Sequence, residues 1–127
     1  MKRSSIDTLE QLCRALADDV RLRILGLVAG GDVCVCDIHG SLGVPQPTAS
    51  RHLAYLRRAG LVHARKDGQW VHYSLVMPAD PGLAGVLRAT LDALARTPRV
   101  GSDRRRLSGL TSIPLKVIED AAGRCCR

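Results

Sequence analysis

The stretch CDIHGSLGVPQPTASRHLAYLRRAG, residues 36–60, decides the fold. Its first part, Cys36–Leu42, predicts a short helix that Gly43 ends. A second helix is predicted over Gln46–Ala59, because the fixed φ of Pro47 suits the first turn of a helix. Two helices joined by so short a turn form a helix-turn-helix.

The flanking sequence extends this motif on both sides. Two alternating runs follow it, Leu61–Lys66 and Trp70–Leu75, and the turn residues Asp67-Gly68-Gln69 between them predict a β-hairpin. Apolar residues at helical spacing predict three more helices, which lie within residues 9–16, between Asp19 and Gly30, and over Leu83–Ala95. The predicted fold class is mainly α with a β-hairpin, a winged helix-turn-helix.

The composition fits one small soluble domain, because 46% of the 127 residues are hydrophobic and 24% are charged. We expect residues 1–97 to form the DNA-binding and dimerisation domain. Residues 98–127 are expected to be a basic, flexible tail with a weak helix over Leu115–Ala122. No run of apolar residues resembles a membrane span or a secretory signal, which predicts a cytoplasmic protein without membrane contact.

The distribution of charge predicts a polyanionic partner. The formal net charge is +7, and the tail from residue 96 onward holds 8 Lys and Arg against 3 Asp and Glu. Within the body, Gly43–Leu75 carries five basic residues and a single acidic one, Asp67. This local excess coincides with the predicted helix-turn-helix and hairpin, which favours double-stranded DNA as the partner.

One face of the second motif helix is predicted to read DNA. Ala49, Leu53 and Leu56 recur at helical spacing and must face the core, so the opposite side is free for the major groove. The candidate DNA-binding residues there are Gln46, Thr48, Ser50, Arg51, His52 and Tyr55, and those at the hairpin tip are Arg65, Lys66 and Gln69. Arg51 is the strongest candidate for contacting guanine.

Cys34 and Cys36 are the candidate metal ligands. On an α-helix their side chains would point about 200° apart, whereas alternate side chains of an extended backbone lie on one side. Two thiolates prefer soft, thiophilic ions over magnesium or calcium. Chelation by this pair therefore requires an unwound start of the adjoining helix.

Three segments in register carry a family resemblance: Val33–Ile38, Gln46–Leu53 and Gly68–Tyr73. Over roughly residues 9–76 the chain resembles the ArsR/SmtB family of metal-responsive transcriptional repressors, and within it the arsenite-sensing ArsR members. The resemblance implies a homodimer joined through the first and fifth helices. It also implies binding to an operator and release when arsenite or antimonite binds, with no organic cofactor.

The third ligand of such a site stays open. Several ArsR members have a third cysteine three positions after the pair, where this chain has His39. The other candidates are Cys13 and the adjacent Cys125 and Cys126. Cys13 is a candidate because related cadmium and lead sensors combine such a pair with cysteines from the N-terminal region. Because Cys13 falls on an apolar stripe, a buried core thiol is the more common outcome for it.

Other functions are weighed against this one. A cadmium- or lead-responsive or a thiol-redox-responsive repressor would share the fold. A thiol-dependent arsenate reductase is disfavoured, because Asp32 and Asp37 would raise the pKa of a thiol at Cys34, so no enzyme is expected. His52, His63 and His72 are better explained by DNA contact or strand packing than by metal binding.

Overall fold

The computed structural model describes residues 5–111, and its helices and short strands follow the predicted order closely. The elements are α1 (Ser5–Leu16), α2 (Asp19–Val28), β1 (Val33–Cys34), α3 (Val35–Leu42), α4 (Gln46–Arg58), β2 (Val62–Asp67), β3 (Trp70–Leu75), α5 (Pro81–Ala95) and α6 (Pro98–Thr111). Within residues 5–111, no helix combines the length and the apolar character that crossing a bilayer needs.

The predicted helix-turn-helix is confirmed as α3 and α4. Gly43 ends α3 in the left-handed conformation, with φ of 71°, and its N–H donates to the carbonyl of His39. The buried side of α4 consists of Ala49, Leu53 and Leu56, as its periodicity predicts. The opposite side of α4 therefore faces away from the core.

The predicted hairpin is confirmed as β2 and β3, which pair in antiparallel register and form the wing. A third strand, β1, was not predicted and pairs with β3 on its other side, so that the sheet order is β1-β3-β2. The register places Cys34 opposite His72 and Val33 opposite Tyr73. The chain just before α3 is thereby joined to the wing by backbone hydrogen bonds.

Arg21 fixes the junction between α1 and α2. Asp18 caps α2 by accepting a hydrogen bond from the N–H of Arg21 at 3.0 Å. The guanidinium of Arg21 donates to the carbonyls of Ala15 at 2.8 Å and Arg14 at 2.9 Å, which are carbonyls at the end of α1. These bonds satisfy groups that helix ends leave unpaired.

The prediction of a flexible tail after Pro98 is wrong for residues 98–111. These residues form α6, which packs against α2 and α3, with Val100 and Leu107 buried in the core. A Cβ at Gly26 on α2 would lie only 2.6 Å from Cγ1 of Val100, so the glycine allows α6 to approach. The predicted helix over Leu115–Ala122 lies outside the described residues.

A buried ion pair anchors α6. Asp103 is 0% exposed and accepts two hydrogen bonds of 2.9 Å from Arg23 on α2, which is 7% exposed. Arg106 donates to the same carboxylate at 2.6 Å. The hydrogen bond with Asp103 raises the pKa of Arg23 above its ordinary value, although burial opposes this shift. Arg23 is therefore charged at neutral pH.

The arginine cluster of α6 also binds carbonyls at the ends of two helices. Arg104 donates to the carbonyl of Gly26 near the end of α2 at 2.9 Å, and Arg106 donates to that of Ser41 in α3 at 2.6 Å. Arg23 donates to the next carbonyl, that of Leu42, at 3.0 Å. Cations are favourable at helix C-termini, so α6 holds the far end of α3 in place.

Candidate thiol site and nucleic-acid interface

Cys34 occupies the point where β1 ends and α3 begins. It is the N-cap residue of α3, its backbone is extended with φ of −73° and ψ of 147°, and its side chain makes no capping hydrogen bond. The thiol is in no disulfide and is only 1% exposed. The first of the two candidate ligands is therefore a buried thiol on the sheet.

Cys36 lies in the first turn of α3 and is half-buried. It takes part in a disulfide, and since Cys34 is in none, the two are not bonded to each other. The backbone is extended at Cys34 and helical at Cys36, so the pair does not share the extended conformation that chelation requires. Among residues 5–111, no three His, Cys, Asp or Glu side chains are grouped to hold a metal ion.

The remaining predicted ligands lie in different places. His39 is half-buried near the end of α3, with Nδ1 3.3 Å from the carbonyl oxygen of Val44. Cys13 is exposed on α1, so the expectation of a buried core thiol is wrong. Cys125 and Cys126 lie outside the described residues.

Sequence reasoning assigned His72 to DNA contact or strand packing, and the structure buries it beside the thiol site. It lies on β3 directly opposite Cys34 and is 4% exposed. Its Nε2 has no hydrogen-bond partner among the residues that the structure describes. Next to it, burial raises the pKa of Tyr73, the charge of Arg57 opposes this, and the thiol of Cys34 adds to it.

The outer side of α4 presents most of the predicted recognition residues. Gln46, Ser50 and Arg51 are exposed, and Thr48 is half-buried. Pro45 precedes the helix in an extended conformation, which leaves the first turn open to solvent. This half of α4 can reach base edges without rearrangement of the core.

His52 and Tyr55 are engaged in packing instead of standing free. Nδ1 of His52 lies 3.2 Å from Nη1 of Arg21, and the guanidinium of Arg21 lies 4.1 Å from the ring centroid of Tyr55. Burial raises the pKa of Asp18, but the hydrogen bond from Arg21 and the charges of His52 and Arg21 lower it below its ordinary value. This cluster docks α4 on α2, and sequence reasoning missed it because its members are far apart in the chain.

The wing carries the other predicted DNA contacts. Lys66 and Gln69 are exposed at its tip, whereas Arg65 forms an ion pair of 3.3 Å with Asp32, two residues before Cys34. Arg57, which was not among the candidates, is exposed at the end of α4 and lines a cleft with Lys66 and His63. Its position in the Arg57-Arg58 pair was the only signal that could have indicated it.

Three relatives are named for metal or metalloid resistance. The chain is 42% identical over 81 residues to the arsenic resistance transcriptional regulator ArsR1 of Pseudomonas putida, covering 63% of each chain. It is 52% identical over 66 residues to the arsenical resistance operon repressor of Escherichia coli, covering 51% of this chain and 56% of the relative. It is 34% identical over 105 residues to the probable mercury resistance operon repressor of Streptomyces lividans, covering 77% and 84%.

Solved structures share the fold. HlyU from Vibrio cholerae matches with a TM-score of 0.63 and 27% identity over 75% of this chain and all of that one. The AntR antimony-specific transcriptional repressor matches with a TM-score of 0.59 and 27% identity over 74% and 83%. The homodimeric winged helix-turn-helix domain of Mb0332 from Mycobacterium bovis matches with a TM-score of 0.58 and 33% identity over 73% and 87%.

The family model described as bacterial regulatory protein, arsR family, matches residues 18–64, which run from the cap of α2 into the wing. The chain spans about 63% and 56% of the length of the two arsenic-resistance relatives, and 84% of the mercury-resistance relative. These relatives are named as regulators and not as enzymes. The chain belongs to the arsR family of bacterial regulatory proteins.

Proposed function

We propose that this protein is a DNA-binding transcriptional repressor that leaves its operator when arsenite or antimonite binds Cys34 and Cys36. The observation that carries the proposal is the place of Cys34 at the start of α3, the first helix of the helix-turn-helix. A ligand that changes the backbone there acts directly on the element that positions α4. Two relatives named for arsenic resistance and a solved structure named as an antimony-specific repressor support this choice of inducer.

The DNA half of the proposal rests on side chains that are exposed, apart from the half-buried Thr48. Gln46, Thr48, Ser50 and Arg51 on α4 contact base edges, and Lys66, Gln69 and Arg65 on the wing contact phosphates. His52 and Tyr55 act by docking α4 on α2 through Arg21. Specificity then comes from α4 and much of the salt-dependent affinity from the wing.

The inducer half rests on thiol chemistry. Each As–S bond forms as a thiol replaces one hydroxyl of arsenite, with its proton leaving in the water released, so no oxidant or reductant is needed once Cys36 is a thiol. Soft thiolates favour such a ligand over hard cations. Cys13, His39, Cys125 and Cys126 remain the candidates for a third ligand.

The coupling of the two halves follows from the backbone. Two-thiol binding requires an extended chain over residues 34–36, which removes the first turn of α3. Since β1 is paired with β3 and Asp32 is bound to Arg65, the same change pulls on the wing. Inducer and DNA favour different conformations, so each weakens the binding of the other by the same factor.

A homodimer is part of the proposal. Large apolar side chains are exposed on the outer faces of α1 and α5, including Ile6 at 72%, Leu9 and Val86. Clustered exposed apolar surface marks an interaction site, and the winged-helix domain of Mb0332 is described as homodimeric. A second copy packed through α1 and α5 would bury these residues.

Operator binding measured against arsenite concentration tests the proposal. With fully reduced protein, we expect saturating arsenite to weaken DNA affinity by about 5- to 150-fold, the usual range of allosteric coupling. Magnesium at the same ionic strength should have no such effect. If arsenite leaves the affinity unchanged and peroxide alone releases the DNA, the result would instead support the thiol-redox-responsive repressor. The disulfide at Cys36 favours that alternative.

Arg51→Ala is expected to weaken operator binding by about 1–3 kcal/mol and to reduce discrimination at one base pair, because Arg51 is the exposed arginine in the first half of α4. Lys66→Ala is the matched control on the wing. It should weaken binding similarly for all sequences and lower the dependence on salt. Equal loss on operator and random DNA for Arg51→Ala would contradict its assigned role.

A further inference from the structure

Arg65 is a candidate DNA contact of the wing that already has an acidic partner. Its Nη2 donates a 3.3 Å hydrogen bond to the carboxylate of Asp32, whereas the neighbouring Lys66 is exposed and forms no ion pair within residues 5–111. The side chains of Arg65 and Asp32 are 43% and 24% exposed, so both are partly shielded from solvent. A DNA phosphate that approaches Arg65 therefore meets a cation with a carboxylate beside it.

The sheet register shows in which direction the side chain of Arg65 extends. Asp32 directly precedes β1, and the register of β1 carried back by one residue places it level with Ser74 on β3. Arg65 pairs with His72, which lies two residues nearer the turn of the wing. The strands β1 and β2 flank β3 and are therefore about 10 Å apart. To meet Asp32, the side chain of Arg65 must cross β3 and lean back from the tip of the wing.

Asp32 and a DNA phosphate compete for this guanidinium. An exposed ion pair is weak, whereas a charge-assisted hydrogen bond from arginine to phosphate is strong, so a phosphate can displace the carboxylate. If Asp32 instead stays close while Arg65 binds the phosphate, the two negative charges repel each other. In both cases the carboxylate of Asp32 lowers the free energy that the contact between Arg65 and DNA contributes to binding.

We propose that Asp32 is an autoinhibitory partner of Arg65. In the protein without DNA, the carboxylate holds the guanidinium back over the sheet, and operator binding exchanges the carboxylate for a phosphate. The ion pair thereby limits operator affinity to less than the wing arginine could provide. This proposal rests on the DNA-binding half of the proposed function and does not involve the inducer.

A double-mutant cycle of Asp32→Asn and Arg65→Gln, measured as binding of the full chain to labelled operator DNA, tests the proposal. At low salt we expect Asp32→Asn to tighten binding by about two- to five-fold, which corresponds to the strength of an exposed ion pair. The gain should shrink as salt screens the pair. In the Arg65→Gln background the same substitution should have little effect. Asp32→Glu keeps the carboxylate and should bind as the wild type does.

Asp67→Asn is the matched control, because Asp67 is an exposed acid at the end of β2 that takes no part in the ion pair. It removes the same charge, and its effect should be equal with and without Arg65.

Equal tightening by Asp32→Asn in both backgrounds, or no tightening, would overturn the proposal. Weaker binding of Asp32→Asn would also overturn it, since Asp32 would then hold Arg65 ready for DNA. A wild type that binds no operator refutes the proposed function as well. A cycle without coupling, in a protein that binds the operator, refutes the autoinhibitory role of Asp32 alone.

Discussion

Replacement of Asp103 by alanine is expected to lower the free energy of unfolding by about 3–5 kcal/mol, because it leaves the charge of Arg23 buried without its partner. The carboxylate is fully buried and binds Arg23 through two 2.9 Å hydrogen bonds and Arg106 through a third. Arg23 cannot escape by losing its proton, since its pKa is raised above an already high value. The loss should also loosen α6 from α3.

Chemical denaturation of the full chain measures this effect. Glu10→Ala, which breaks the exposed i, i+4 pair with Arg14, is the control and should change stability by no more than about 0.5 kcal/mol. Replacing both buried partners, in Arg23→Met/Asp103→Leu, should recover much of the loss because no buried charge pair is left broken. A loss for Asp103→Ala as small as that for Glu10→Ala would show that α6 is not anchored by this pair.

The double variant Cys34→Ser/Cys36→Ser is expected to bind the operator as tightly as the wild type and to lose release by arsenite. Serine keeps nearly the volume of cysteine, and Cys34 makes no capping hydrogen bond at α3, so the DNA-binding fold should persist. A hydroxyl is a hard donor and does not replace a soft thiolate. The 5- to 150-fold weakening expected for the wild type should fall to about one-fold.

Fluorescence anisotropy of labelled operator, with and without arsenite, records this result. Cys13→Ser is the comparison variant, since Cys13 is an exposed thiol on α1 and a candidate third ligand. It should keep full release unless it supplies the third ligand, in which case higher arsenite concentrations are needed. Release of the double variant at wild-type arsenite concentrations would refute the assignment.

The sequence predicted the helix-turn-helix and the wing well because their signals are local. The buried stripe of Ala49, Leu53 and Leu56 follows the helical period, and Gly43 marks the end of α3. The turn of the wing was likewise found from its residue types. The strand β1, which pairs with the wing, was missed, since two residues are too few to show a period.

The prediction of a flexible tail failed at α6 because it rested on composition, whereas α6 is held by contacts between residues far apart in the sequence. The turn to Arg, Ser and Gly after Pro98 predicted a linker, whereas Pro98 is in fact the first residue of α6. The pair that fixes α6 joins Arg23 and Asp103 across 80 residues, and no local pattern reports such a contact. Composition also gave no sign that Arg104 and Arg106 donate to carbonyls of other helices.

At the candidate site too, features with a local signal were predicted and features that depend on distant contacts were not. The spacing of Cys34 and Cys36 indicated the thiol pair, but the burial of His72 beside it depends on strand register. The packing of His52 and Tyr55 depends on Arg21, which lies on another helix. Chemistry carried by adjacent residues was predictable, and chemistry assembled across elements was not.

The central claim, that Cys34 and Cys36 hold the inducer, is tested most directly by arsenic X-ray absorption with one arsenite per protomer. The measurement is made on reduced Cys125→Ser/Cys126→Ser protein, in which the thiols are Cys13, Cys34 and Cys36. We predict an arsenic shell containing two sulfur atoms, which Cys34→Ser/Cys36→Ser in the same background replaces by oxygen. An oxygen-only shell before those two thiols are removed, or a sulfur shell that survives their removal, would contradict the account.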